Sequence, residues 1–145
     1  MKALLQRVSH ASVEVDSVCV GSIERGLLAF VGFDKGDNRP LADKMLDKLL
    51  AYRVFADDTG RMNRSVVEAD GGVLLVSQFT LSADTQKGLR PSFSSALPPE
   101  DAHVLYDYVL GELRGRHSTV AAGEFGADMK VSLTNDGPVT FLLEL

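Results

Sequence analysis

Two segments of the sequence place polar residues where a strand pattern ends, and both could act on a substrate without a charged catalytic group. The first is Ser77-Gln78-Phe79-Thr80-Leu81, which follows the apolar run that begins at Val73. Main-chain N–H groups and a hydroxyl at such a strand end can stabilise the oxyanion that forms in acyl transfer. Ser and Thr more often simply cap turns, and residue types alone favour that simpler interpretation.

The second segment is Asn135-Asp136-Gly137-Pro138-Val139-Thr140. Glycine permits backbone conformations that other residues avoid, and the bond before a proline is the only peptide bond that is cis with appreciable frequency. A tight hairpin turn is the commoner explanation of this pattern. The functional alternative is a rigid wall of backbone carbonyls that points into a pocket, including a pocket of a partner subunit.

A third segment, Lys87 to Phe93, combines the cations Lys87 and Arg90 with the aromatic ring of Phe93. A loop of this composition can bind a phosphate and stack against a base, although a solvated charged loop is the more frequent outcome.

The usual catalytic motifs do not occur in the sequence. It has no G-x-S-x-G, Walker, H-E-x-x-H or C-x-x-C pattern, and its three histidines stand in unrelated contexts. We expect His103 and His117 at the surface, leave the role of His10 open, and expect Cys19 to be a small core residue. The ligands for a tetrahedral zinc site are lacking, so we expect no metal and no cofactor.

Composition indicates one soluble domain over residues 1–145. The chain is 45% hydrophobic and 24% charged, and it contains one cysteine, so it cannot form an internal disulfide. A net charge of −5 argues against broad, nonspecific binding to nucleic acid. No signal-peptide or membrane-span pattern is visible, so we expect a cytoplasmic protein.

These segments must be positioned by a fold rich in strands. Alternation and short apolar runs predict three or four strands before Asp34, a strand from Val73 to Gln78, and strand segments on either side of residues 135–138. Apolar residues at helical spacing predict two amphipathic helices, one after Pro40 that ends near Tyr52 and one from Pro98 to about Gly115. The sum predicts an α+β domain, mainly antiparallel and barrel-like or two-layered, with the two helices packed outside.

Taken together, these segments resemble the D-aminoacyl-tRNA deacylase family. The resemblance is an ordered series over nearly the whole chain: Leu5-Gln6-Arg7-Val8, Ala11-Ser12-Val13, Gly26-Leu27-Leu28, Met62-Asn63, Ser77-Gln78-Phe79-Thr80-Leu81, Lys87-Gly88, Arg90-Pro91-Ser92-Phe93, Phe125-Gly126-Ala127 with Met129, and Asn135-Asp136-Gly137-Pro138-Val139-Thr140. Gln86 departs from the pattern, which has Arg there in many relatives. Ser77 and Phe79 favour the D-specific branch over a related L-specific group.

The resemblance implies a homodimer with active sites at its interface. Gly137-Pro138 of one subunit, in cis, would enter the pocket of the other and reject an L side chain. Ser77, Gln78, Phe79 and Thr80 would be the catalytic segment. Supporting or tRNA-end-binding roles are implied for Arg7, Lys87, Arg90, Phe125, Met129 and Asn135.

On this interpretation the protein hydrolyses the ester of D-aminoacyl-tRNA at the 3′ acceptor end. We expect main-chain N–H groups near Phe79 and Thr80 to stabilise the oxyanion, Thr80 to act as a positioning group, and the terminal ribose 2′-hydroxyl to help activate water. Glycyl-tRNA should also be cleared, and salt dependence should be shallow. A noncatalytic tRNA-end binding module and a generic esterase remain alternatives.

Overall fold

The computed structural model describes residues 1–86 and 88–145. Two helices, a short 3-10 turn and eight strands follow one another in these residues. The helices are α1 (Arg39–Ala51) and α2 (Pro99–Arg116), and the turn is Phe79–Ser82; the strands are β1 (Lys2–Val15), β2 (Val18–Ile23), β3 (Gly26–Gly32), β4 (Phe55–Ala56), β5 (Met62–Arg64), β6 (Gly72–Ser77), β7 (Val120–Ala122) and β8 (Lys130–Glu144).

The main sheet is organised around the long strand β1. One edge of β1 pairs with β8, while its other edge pairs with β3 near its start and with β2 near its end, all antiparallel. The order continues from β3 to β6 to β7 through parallel pairings. Parallel neighbours need a crossover connection, which α1 supplies between β3 and β6 and α2 supplies between β6 and β7.

The two ends of this sheet approach each other. Gly21 of β2 lies so near β7 that a Cβ atom there would stand 2.5 Å from the Ala122 carbonyl oxygen. The sheet is therefore nearly closed, and the predicted α+β, barrel-like and mainly antiparallel architecture is confirmed.

Both predicted helices are present at nearly the predicted bounds. The Asn38 side chain accepts a 3.1 Å hydrogen bond from the Leu41 N–H and so caps α1. Glu100 and Asp101 lie in the first turn of α2, where the helix dipole favours acidic side chains. Arg116 near the end of α2 binds Asp43 of α1 at 2.6 Å, which ties the helices together.

The sheet has two buried faces. One packs against α1 and α2 and includes Leu5, Leu27 and Leu75. The other lines the inside of the curved sheet and includes Val8, Leu28 and Leu74. Neither helix in the described part of the chain is long and apolar enough to cross a membrane.

Two side chains differ from the sequence prediction. Cys19, expected in the core, is exposed, because β2 lies at the end of the strand order and its outer residues Val18 and Val20 face solvent as well. His117, expected at the surface, is buried after α2, where its Nε2 lies 2.7 Å from the Gly71 carbonyl oxygen. That hydrogen bond satisfies the buried ring.

Candidate functional site

A cavity of about 660 Å³ opens where the parallel strands β3 and β6 end. The start of α2 and the segment from Phe125 to Val131 close its other sides. Its volume is typical of a small-molecule site. The lining residues are mostly apolar or aromatic, and five of the predicted site residues are among them: Ser77, Gln78, Phe79, Phe125 and Met129.

The Ser77-to-Thr80 segment turns sharply as it leaves β6. The Gln78 N–H donates to the Val31 carbonyl at 2.7 Å, and the chain then enters the 3-10 turn that begins at Phe79. The first N–H groups of a helical turn have no partner within it. Within residues 1–86 and 88–145, the Phe79 and Thr80 amides donate to no acceptor outside that turn. These amides are therefore available to a ligand.

Two side chains of this segment contact each other. The Gln78 carboxamide Nε2 lies 2.6 Å from the Thr80 hydroxyl oxygen. A carboxamide is not a base, so this contact orients the hydroxyl without activating it as a nucleophile. The Phe79 ring is 62% exposed and packs on Phe93 with ring centroids 5.0 Å apart.

Aromatic stacking also fixes the opposite wall. His103 of α2 stacks on Phe125 with centroids 4.5 Å apart and planes 8° from parallel. Tyr106 packs on the same ring, at 5.6 Å. Burial raises the pKa of the Tyr106 phenol to about 12, and the phenol donates to the Leu75 carbonyl. Tyr106 is therefore a neutral packing group near physiological pH.

The Gly137-Pro138 segment is a bulge in a continuous strand, where the sequence suggested an interruption. Both halves of β8 pair with β1, with Val8 opposite Asn135 and Gln6 opposite Thr140. The single residue between Gln6 and Val8 thus faces the four residues between Asn135 and Thr140, so the extra chain protrudes. The hairpin interpretation is wrong, because the chain does not reverse.

Two side chains hold this bulge, and both were predicted site residues. The Asn135 Oδ1 accepts from the Val139 N–H at 2.6 Å, which closes the base of the bulge. The Arg7 guanidinium donates to the Asp136 carbonyl at 2.9 Å and to the Val54 carbonyl at 2.6 Å. The Gly137-Pro138 bond is cis, and both residues are exposed.

The predicted site residues therefore form two groups within one chain. Arg7, Asn135, Gly137 and Pro138 form the bulge and do not line the cavity. Thr80 and Arg90 are exposed and also lie outside the cavity lining. Lys87 lies outside the described residues. Gln86 is exposed, and its N–H donates to the Asp84 carboxylate at 2.9 Å.

The histidines lie away from the cavity lining. His10, in the middle of β1, is exposed between the Ser9 and Thr134 hydroxyls, at 3.4 and 3.3 Å. His103 is exposed, as expected, and stacks on the lining residue Phe125. In the described part of the chain, no three His, Cys, Asp or Glu side chains are grouped so that they could hold a metal ion.

Phe30 and Lys35 are among the lining residues that sequence reasoning did not predict as site residues. Lys35 follows the predicted strand that ends at Phe33, in the polar run Asp34-Lys35-Gly36-Asp37. The carboxyl ends of parallel strands share one edge of a sheet, and ligands bind there. The place of Lys35 in the cavity was not predicted because β3 and β6 were not predicted to pair in parallel.

Comparison with known proteins identifies close relatives. The sequence model of the family described as D-Tyr-tRNA(Tyr) deacylase matches residues 4–144. The chain is 59% identical over 145 residues to the D-aminoacyl-tRNA deacylase of Saccharophagus degradans, with 100% of both chains covered. It is 61% identical over 145 residues to that of Cellvibrio japonicus, with 100% of this chain and 99% of the relative covered.

Solved structures share the fold. One described as "c-Myc DNA Unwinding Element Binding Protein" superimposes with a TM-score of 0.96 at 39% identity, covering 100% of this chain and 99% of that one. Another, described as a probable eukaryotic D-amino acid tRNA deacylase, gives a TM-score of 0.83 at 18% identity, covering 99% and 98% of the two chains.

Proposed function

Because this chain belongs to the D-Tyr-tRNA(Tyr) deacylase family, we propose that it hydrolyses the ester bond of D-aminoacyl-tRNA. The products are free D-amino acid and tRNA, so the enzyme proofreads chirality for translation in the cytoplasm. Residues 1–145 serve as one deacylase domain. The observation that carries the proposal is the cavity at the end of β6, with the unpartnered Phe79 and Thr80 amides beside it.

Main-chain stabilisation of the oxyanion is the proposed source of catalysis. Water attacks the ester carbonyl carbon, negative charge develops on the carbonyl oxygen, and the terminal ribose oxygen leaves with a proton. The Phe79 and Thr80 N–H groups would donate to the developing oxyanion. A well-placed donor of this kind contributes about 3–4 kcal/mol to transition-state stabilisation.

The terminal ribose 2′-hydroxyl is the proposed assistant for water activation. The Thr80 hydroxyl is held by the Gln78 carboxamide, which cannot remove its proton. No histidine lies in the described cavity lining. The substrate's own hydroxyl is adjacent to the scissile ester and can relay the proton.

A homodimer would complete the site. Cross-strand pairing places Leu4, Phe30 and Leu142 in one row, and the next row contains Gln6 and Thr140. We call these five residues the open face. Phe30 lines the cavity, Leu142 is 51% exposed, and Thr140 adjoins the bulge. The open face thus runs continuously from the cavity to the Gly137-Pro138 bulge.

Packing two open faces about a two-fold axis would give each cavity the bulge of the other subunit. The Gly137 and Pro138 carbonyls would then occupy the space into which an L side chain projects. A D side chain points away from that wall, so many D-amino acids are accepted.

Two alternative functions are less well supported. A generic esterase would present a Ser or Cys nucleophile with a His base, and the described cavity lining contains neither a histidine nor a cysteine. A noncatalytic tRNA-end binding module would not require free amides at the strand end that lines the cavity.

Matched D- and L-tyrosyl-tRNA test the proposal. The purified protein should hydrolyse the D ester and leave the L ester intact, because the wall rejects the L side chain. The measurement is release of labelled tyrosine under identical conditions. Hydrolysis of both enantiomers would end the stereochemical proposal, and hydrolysis of neither would end the deacylase proposal.

Glycyl-tRNA should also be hydrolysed. Glycine has no side chain for the bulge to reject, so steric selection cannot exclude it, and the acceptor stem must decide which glycyl-tRNA is spared. Mischarged glycyl-tRNA(Ala) is the expected substrate. Deacylation of glycyl-tRNA(Ala) and glycyl-tRNA(Gly) over a range of enzyme concentrations tests this, and no turnover of either at high enzyme concentration would contradict the steric explanation.

A further inference from the structure

We propose that Lys35 binds the phosphate group on the 5′ side of the tRNA's terminal nucleotide. This inference rests on the proposed deacylase function and deepens it, because it assigns a phosphate subsite to the same cavity. Among the described lining residues, Lys35 is the single charged side chain. The other lining residues are apolar, aromatic or neutral polar groups.

The charges of the substrate explain why one cation is sufficient. In an aminoacylated terminal nucleotide, the adenine, the ribose and the ester are neutral. The charged groups are the α-ammonium of the amino acid and the phosphate. An ammonium on the cavity wall attracts the phosphate and repels the α-ammonium, so it fixes which end of the ligand lies where.

Backbone pairing holds Lys35 in a defined place. The Lys35 N–H donates to the Ser95 carbonyl at 2.9 Å, and the Leu97 N–H donates to the Phe33 carbonyl at 2.9 Å. Successive side chains of such an extended segment point to opposite sides. Asp34 is bound to the Lys2 ammonium at 3.6 Å, whereas Lys35 lines the cavity.

Lys35 is also available for a ligand. Its ammonium makes no ion pair with any residue in the ranges 1–86 and 88–145. A contact between an exposed ammonium group and a nucleic-acid phosphate weakens as the salt concentration rises, which makes the proposed contact measurable.

The position of Lys35 relative to the reacting ester also fits a phosphate contact. Lys35 follows β3, the Phe79 and Thr80 amides follow β6, and these adjacent parallel strands end at the same edge of the sheet. The terminal phosphate is separated from the ester by one ribose ring. An ester at the amides and a phosphate at Lys35 therefore lie along one bound nucleotide.

The test compares Lys35→Gln with Lys35→Arg and with the control Lys44→Gln, an exposed lysine of α1 outside the cavity. For D-tyrosyl-tRNA, Lys35→Gln should raise KM roughly 10- to 100-fold with little change in kcat, the size expected for loss of a charge-assisted hydrogen bond. Lys35→Arg should keep most of the affinity, and the control should not change. The slope of log KM against log salt should fall by about 0.7 in Lys35→Gln.

Two comparisons with ligands that lack the phosphate distinguish a phosphate contact of Lys35 from a structural role. On 3′-O-D-tyrosyl-adenosine, Lys35→Gln should match the wild type. Calorimetry should show that the wild type binds 5′-AMP more tightly than adenosine, and that Lys35→Gln does not. The inference would be overturned if Lys35→Gln raised KM equally for D-tyrosyl-tRNA and for 3′-O-D-tyrosyl-adenosine. It would also be overturned if the wild type bound 5′-AMP no more tightly than adenosine. If 5′-AMP is preferred but no ester is hydrolysed, the subsite stands and the deacylase proposal falls.

Discussion

Replacing Gly137 with alanine is expected to lower deacylation of D-tyrosyl-tRNA by about 100-fold, the cost of displacing a group that positions the substrate by about 1 Å. Gly137 has a φ of +149°, which side chains rarely allow. A Cβ atom there would lie 2.6 Å from the Val139 Cγ2 atom and 2.8 Å from the Val139 nitrogen. The backbone of the bulge must therefore move.

Gly111→Ala is the matched control for this substitution. Gly111 lies in α2, and a Cβ atom there would meet nothing within 4 Å. This control should keep full activity, because alanine suits a helix interior. Both variants should be measured by steady-state kinetics, with circular dichroism and size-exclusion chromatography to show that they fold and assemble alike. Full activity and unchanged D selectivity in Gly137→Ala would show that the bulge does not shape the site.

Removing the terminal ribose 2′-hydroxyl is expected to slow hydrolysis more than removing the Thr80 hydroxyl does. A tRNA that ends in 2′-deoxyadenosine should be hydrolysed roughly 100- to 1,000-fold more slowly, within the range for loss of a general acid–base group. Thr80→Ala should lower the rate of hydrolysis by less than about tenfold, because in the proposed mechanism the Thr80 hydroxyl only positions the substrate, and the Gln78 carboxamide beside it is not a base. Single-turnover rates with saturating enzyme compare the two directly.

The reverse order would change the mechanism. If Thr80→Ala abolished hydrolysis while the 2′-deoxy substrate reacted normally, Thr80 would be the nucleophile. An acyl-enzyme intermediate would then accumulate in a burst, which rapid quenching can detect. Thr80→Ser keeps the hydroxyl and removes only the methyl group. Under either mechanism it should match the wild type, and a loss of activity would show that the methyl group matters.

Local patterns were sufficient to predict the two helices and the main strands of this fold, but not the short strands β5 and β7. The capping Asn38 and the apolar spacing of α1 are encoded within a few residues, and the same is true of the acidic start of α2. Exposure of Cys19 could not be predicted locally, since it depends on the place of β2 in the strand order. Burial of His117 depends on a hydrogen bond to Gly71, which is 46 residues away in sequence.

The candidate site shows the same division between local and long-range information. The polar strand end at Ser77 and the Gly137-Pro138 segment were both visible in the sequence. The bulge, however, exists because both halves of β8 pair with β1, a contact between the two ends of the chain. The entry of Lys35 into the cavity depends on the parallel pairing of β3 with β6.

The central claim is that each cavity is completed by the bulge of the partner subunit. Combining two variants that are each nearly inactive in one dimer tests it. Phe79→Pro removes one amide donor at the first position of the 3-10 turn, where proline is tolerated. Alone, it should lose activity by roughly 100- to 1,000-fold, the range for loss of one oxyanion donor, and Gly137→Ala should lose activity by about 100-fold. A heterodimer of the two would contain one site with an intact cavity and an intact partner bulge.

The measurement is D-tyrosyl-tRNA deacylation by the two variants co-expressed in equal amounts. We predict recovery of about one quarter of the wild-type activity, because half of randomly assembled dimers are heterodimers and each contains one intact site of two. The recovered activity should still reject L-tyrosyl-tRNA. No recovery, with heterodimers demonstrably present, would show that the bulge does not serve the partner's cavity and would contradict the account.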